Sequence, residues 1–204
     1  MKLTTSGRGT RIIFFSVLCS LVMAGCQRSS GPVQFQVVFA APVLNRGAIT
    51  DYGLNLRNEI PSLTINGELP LFTPLQIGGD GNPEMVMATM MRFAGMTSSQ
   101  AVDLLIVDME NANRFAHNNL FLPLSELFSP QELEPYEDLL LDFALSEVQD
   151  GAAVLSGEVT PVNGFDVTGH EALVPIFGNQ RIGVFVLIMS RHPDLARQVL
   201  LSLL

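Results

Sequence analysis

The side chains of this 204-residue chain that could do chemistry are few and far apart. Asp108 and Glu110 stand two residues apart, close enough to suggest a paired acid and base. Their position favours a plainer role, because acidic residues in a first helical turn cap free amides and oppose the helix dipole. Three histidines, His117, His170 and His192, are widely separated. His170-Glu171 begins like a zinc-protease motif, but Val174 stands where the second histidine would have to be. No Gly-x-Ser-x-Gly elbow occurs, and a P-loop is ruled out because Lys2 is the only lysine. These residues point to binding rather than catalysis: no enzyme activity, no metal and no cofactor is expected.

The residues best placed to meet a ligand surround Val102-Asp103-Leu104-Leu105-Ile106-Val107 and the Asp108 that follows. The run reads as a strand buried on both faces, as in a parallel sheet, and Asp108 suits the N-cap of the next helix. Open α/β sheets hold ligands at the carboxyl ends of their strands. Asp108, Asn111 and the first helix amides are therefore the expected ligand-binding groups. Asp166, in Asn163-Gly164-Phe165-Asp166, is a second candidate, with a simple turn as the alternative.

Behind Asp108, Met109, Ala112, Phe115 and Ala116 share a helical face that ends at Asn118-Asn119. Upstream, Val33 to Phe39 predicts a first strand, Asp51 to Glu59 a helix weakened by Gly53, and Ser62 to Glu68 an alternating strand. Pro70 and Pro74 predict an edge strand or irregular chain. Asn82-Pro83-Glu84 predicts a helix start, and the methionine-rich segment from Met85 to Ala94 reads as a helix closing at Gly95. That segment is apolar nearly all round, so packing against the sheet is expected over an adaptable methionine surface. Downstream, Ser129-Pro130-Gln131-Glu132 predicts a capping box, and Leu145 to Gly169 short strands or a hairpin. Arg181 to Met189 predicts a second continuous apolar strand, and Pro193 to Leu200 a final helix. Strands alternating with helices give an α/β domain with a mostly parallel sheet flanked by helices.

The N-terminus carries a different message. Lys2, Arg8 and Arg11 precede an apolar run from Ile12 to Met23, a basic start and a segment short for a span, as in a secretory signal. Met23-Ala24-Gly25-Cys26 resembles the lipobox of bacterial lipoproteins, with Met23 where that pattern prefers leucine. The resemblance implies acylation of Cys26 as the new N-terminus; an ordinary signal peptide near a cysteine is the alternative. The expected division is a signal peptide over 1–25, a tether over 26–32 and one domain over 33–204, anchored on the extracytoplasmic face of a cell membrane. Cys19 leaves with the signal, so the mature chain has no disulfide and no free thiol. It carries all 20 acidic residues against eight arginines, a formal charge of −12 that disfavours nucleic acid as a partner.

The order of segments also has a likeness. Gly78-Gly79-Asp80-Gly81 with its apolar helix, then Val102 to Asp108, then Phe121-Leu122-Pro123-Leu124-Ser125-Glu126-Leu127-Phe128, resemble the first lobe of extracellular solute-binding lipoproteins of ABC importers. Gly183-Val184-Phe185-Val186 and His192-Pro193-Asp194-Leu195-Ala196 are similar to that family's closing strand and proline-headed helix. The resemblance implies a solute partner and uptake as the process. Typical members hold the solute between two lobes and are about twice as long. Here only about forty residues separate Leu141 from Arg181, too few for a second lobe of ordinary size. The expectation is a reduced, single-lobe relative, with an envelope protein as the alternative partner.

Overall fold

The computed structural model describes residues 34–79, 82–149 and 152–204, so the expected signal segment and the whole of the expected tether lie outside the described residues. Strand β1 (Gln36–Ala41) is wholly buried and is extended by two alanines beyond the predicted segment before Pro42 turns the chain. Helix α1 (Arg46–Glu59) starts at Asn45, whose side chain accepts from the amides of Gly47 and Ala48. Gly53 has a packing reason to be there: a Cβ would sit 2.6 Å from the Phe72 ring. The strand predicted over Ser62–Glu68 is instead a 3₁₀ turn at Pro61–Leu63 and an Ile65–Glu68 bridge closed by Asn66 and Gly67. Both turn residues have positive φ, 51° and 84°, so the Asn-Gly pair outweighs the alternation.

Strand β2 (Leu71–Gln76) is an edge strand, which tolerates Pro74. Helix α2 (Pro83–Ser98) begins at the predicted cap, where Asn82 Oδ1 accepts from the Glu84 amide at 2.9 Å. It runs past Gly95, and only Phe93 is fully buried. Met85, Met87 and Met91 are each more than 60% exposed, which corrects the expectation of buried packing all round. The sheet offers α2 a single apolar stripe, so the remaining methionines face solvent.

Strand β3 (Leu104–Asp108) and helix α3 (Met109–Ala116) form the predicted strand–cap–helix unit. After a 3₁₀ turn the short helix α4 (Pro130–Leu133) starts at the capping box of Ser129 and Glu132. Strand β4 (Leu140–Leu141) follows, then a separate hairpin of β5 (Ala144–Gln149) and β6 (Ala152–Val159). Strand β7 (Gly164–Asp166), helix α5 (Val174–Phe177), strand β8 (Ile182–Val186) and helix α6 (Pro193–Ser202) complete the chain.

The main sheet has six strands in the order β2-β1-β3-β8-β7-β4. Strands β2, β1 and β3 are parallel; β8 runs against β3, β7 against β8, and β4 against β7. The sheet is therefore mixed, and the expectation of a mostly parallel one is corrected. A continuous apolar run signals burial on both faces but carries no direction, and β8 re-enters at the edge where β7 has just ended. Helices α1, α5 and α6 cover one face through Ile49, Leu56, Ile176 and Val199. Helices α2 and α3 cover the other through Phe93, Ala112 and Phe115. No helix among the described residues is long and apolar enough to cross a membrane.

Candidate functional site

Strands β1, β2 and β3 are parallel, so their carboxyl ends share one edge of the sheet. The chain order reverses between β1, which leads to β2 on one side, and β3 on the other. Such a reversal separates the outgoing loops and opens the place where α/β sheets hold ligands. Helices α1, α2 and α3 each leave this edge by their N-terminus, capped by Asn45, Asn82 and Asp108.

Asp108 is 7% exposed and every bond it makes is internal. Its Oδ1 accepts from the amides of Glu110 and Asn111, both at 3.1 Å. Its Oδ2 accepts from Asn111 Nδ2 at 2.7 Å. The same Asn111 amide donates to the carbonyl of Ile77 at 3.2 Å, tying α3 to the loop after β2. That loop lies close: a Cβ on Gly78 would come 3.5 Å from Pro42 and 3.6 Å from Asn111 Nδ2. Gly78 and Gly79 have φ of 87° and 76°, so it is the backbone conformation that calls for glycine here. The predicted pair is thus brought together, as a buried clamp that sets the edge loops. Gln76 and Gln180 extend the clamp by donating to the carbonyls of Pro42 at 2.8 Å and Val43 at 2.9 Å.

Asp166 sits on the same edge, but β8 separates it from Asp108. Asp108 is opposite Ile182 in the register and Asp166 opposite Gly183. Two strand spacings, about 10 Å, keep the two carboxylates apart, too far to share a proton. Asp166 Oδ1 accepts from the Thr168 amide at 2.9 Å, and Oδ2 pairs with Arg181 Nη2 at 3.1 Å. Burial pushes this carboxyl upward, but hydrogen bonds from Thr168 and the Arg181 guanidinium outweigh it and hold the group below its ordinary value. A depressed carboxylate stabilises the fold above its unfolded pKa and loses that contribution as pH falls through the folded one. Asp166→Asn should therefore flatten the acid limb of a stability–pH curve below about pH 4. The difference should stay under about 1 kcal/mol because Arg181 is mostly exposed. Urea midpoints of both proteins from pH 2.5 to 7 check this; parallel curves would contradict it.

Glu110 points out of the site, 83% exposed and 3.7 Å from Arg114 one turn on, so it forms no acid–base couple with Asp108. Among the described residues no group of three histidines or carboxylates is close enough to hold a metal.

Sequence reasoning missed Asp103, at the opposite edge, which accepts more bonds than any other carboxylate among the described residues. It is 2% exposed and accepts four bonds. Oδ2 takes the Gln36 amide at 2.9 Å; Oδ1 takes Ser190 Oγ at 2.9 Å and the amides of Arg191 at 3.0 Å and His192 at 3.1 Å. The available sign was a charged residue inside an apolar run, since a buried carboxylate must be matched by donors. No family model, curated protein or solved structure matches this chain.

Proposed function

We propose that this protein is an acyl-anchored lipoprotein on the extracytoplasmic face of a membrane, whose single α/β lobe captures a solute without chemical conversion, in association with ABC-type uptake. The anchor rests on Met23-Ala24-Gly25-Cys26 after its basic and apolar leader. The binding role rests on one observation: the chain order reverses at the carboxyl ends of β1 and β3, where the buried Asp108–Asn111 clamp fixes the loops at Pro42 and Gly78. The clamp's acceptors and the first amides of α3 are already used internally, so the clamp holds the edge loops in shape while loop backbone meets the solute.

A thermal-shift screen with pooled sugars, amino acids and short peptides tests the reading. At least one pool should raise the melting temperature, and the shift should shrink in Asp108→Asn and Asn111→Ala. A screen with no stabilising pool, or a shift that both variants retain in full, would sink it.

A second reading, a lipid-anchored interaction module that binds an envelope protein and no solute, is favoured by the outer face of α2. There Met85, Met87 and Met91 stand exposed on one unusually polarizable helix. Crosslinking in intact cells should then recover one stoichiometric partner from the wild type and not from a Met87→Gln, Met91→Gln double variant.

A further inference from the structure

We propose that the solvent face of α2 pairs with the same face of a second copy of this chain, the two helices running antiparallel about Ala88. The inference goes beyond solute capture at the strand edge and is independent of it. It assigns to a second copy the face that the alternative reading gives to another envelope protein.

Helix α2 spans 16 residues, about 24 Å, and turns Phe93 into the core. Away from Phe93, Glu84, Met85, Ala88, Met91 and Arg92 are all exposed. At 3.6 residues per turn these five share one sector of about 120°. Glu84, Ala88 and Arg92 lie four apart and form a single ridge, with Met85 and Met91 on its two sides.

This face is its own complement. Counted outwards from Ala88, a methionine stands three residues away in each direction, and a charge stands four away. Only the sign of the charge differs, Glu84 at one end and Arg92 at the other. A two-fold axis through Ala88 therefore sets Met85 of one copy against Met91 of the other, and Glu84 against Arg92, each twice over. An isologous interface requires such self-complementarity. A parallel pair would instead oppose Glu84 to Glu84 and Arg92 to Arg92, so charge selects the antiparallel arrangement. The short side chain of Ala88 at the crossing point lets the axes approach to about 8 Å, and the flexible methionines fill the space beside it.

Glu84 and Arg92 are the only charged residues of α2, and neither is in an ion pair among the described residues. They cannot serve each other within one helix, being about 12 Å apart along its axis. One helix face is small for an interface, so the pairing should be reversible, with a Kd of about 10–100 µM.

Sedimentation velocity of the full chain in density-matched detergent, at concentrations spanning that Kd, tests the pairing. The wild type should pass from monomer to dimer. Glu84→Arg and Arg92→Glu each bring like charges together and should each weaken association at least about tenfold. Mixing these two variants should restore it to near the wild-type level, because one copy then carries two arginines and the other two glutamates. A folding defect in either variant would not produce that recovery. A wild type that stays monomeric, a single reversal that associates as well as the wild type, or a mixture no better than its parts would each overturn the pairing. So would crosslinking in intact cells that recovers another protein on this face and no second copy. The solute reading survives those failures, since its screen turns on Asp108 and Asn111 and not on the α2 face.

Discussion

Asp103→Ala should destabilise the fold by at least about 4 kcal/mol, a large share of the 5–15 kcal/mol typical of a domain. The substitution removes an acceptor from four donors at once, the amides of Gln36, Arg191 and His192 and the Ser190 hydroxyl, of which the His192 amide keeps a second acceptor in Ser190 Oγ at 3.1 Å. Three of these belong to the turn between β8 and α6, and the fourth to the first residue of β1. One carboxylate therefore joins the start of the chain's first strand to the start of its last helix. Asp103→Asn keeps the shape and one acceptor, but its NH₂ must face a donor, so a loss of about 1–3 kcal/mol is expected. Urea unfolding measures both. A loss below about 1 kcal/mol for Asp103→Ala would mean that the four bonds contribute little.

Phe185→Ala should cost about 3–5 kcal/mol, the range for truncating a fully buried phenylalanine. The ring is inaccessible to solvent, stacks on Phe121 at 4.1 Å and 14°, and meets Phe143 at 5.9 Å. It also lies directly over two glycines: a Cβ on Gly164 would come 2.3 Å from it and one on Gly183 2.7 Å. Gly164→Ala should thus cost about 1–3 kcal/mol by overpacking the same ring from below. The two substitutions share one space, so Phe185→Ala should relieve the ring's part of the Gly164→Ala cost and leave the part set by the Val184 carbonyl, which a Cβ would meet at 2.7 Å. Simple additivity in that double-mutant cycle would contradict the packing described. Because β8 directly follows Arg181 and separates Asp108 from Asp166, a loosened Phe185 should also disturb the strand edge.

What the sequence displayed and what it hid divide along physical lines. Local signals were legible. Asp108 as a cap, Asn82-Pro83-Glu84 as a helix start and Ser129 with Glu132 as a capping box each depend on residues a few positions apart. The apolar run of β3 was legible too, because burial on both faces leaves no polar alternation to confuse it. Features decided by partners distant in sequence were not. The direction of β8 depends on where β7 ends, and the exposure of Met85, Met87 and Met91 depends on how wide a stripe the sheet can cover. Asp103 read as part of a strand because its four donors come from residues 67 to 89 positions away. The pairing of Asn111 with Asp108 was within reach of spacing, whereas the tie from Asn111 to Ile77 was not. Within Ser62–Glu68, the Asn66-Gly67 turn competed with an alternating pattern, and the turn won because glycine accepts positive φ without cost.

The account as a whole depends on where the mature chain begins and what it carries there. Mass spectrometry of the N-terminal peptide from membrane-purified protein measures this directly. The account predicts a peptide that starts at Cys26 and bears acyl chains, and a Cys26→Ser protein that is no longer held in the membrane fraction. An unmodified Cys26, or a mature chain that starts elsewhere and still sediments with the membrane, would contradict it.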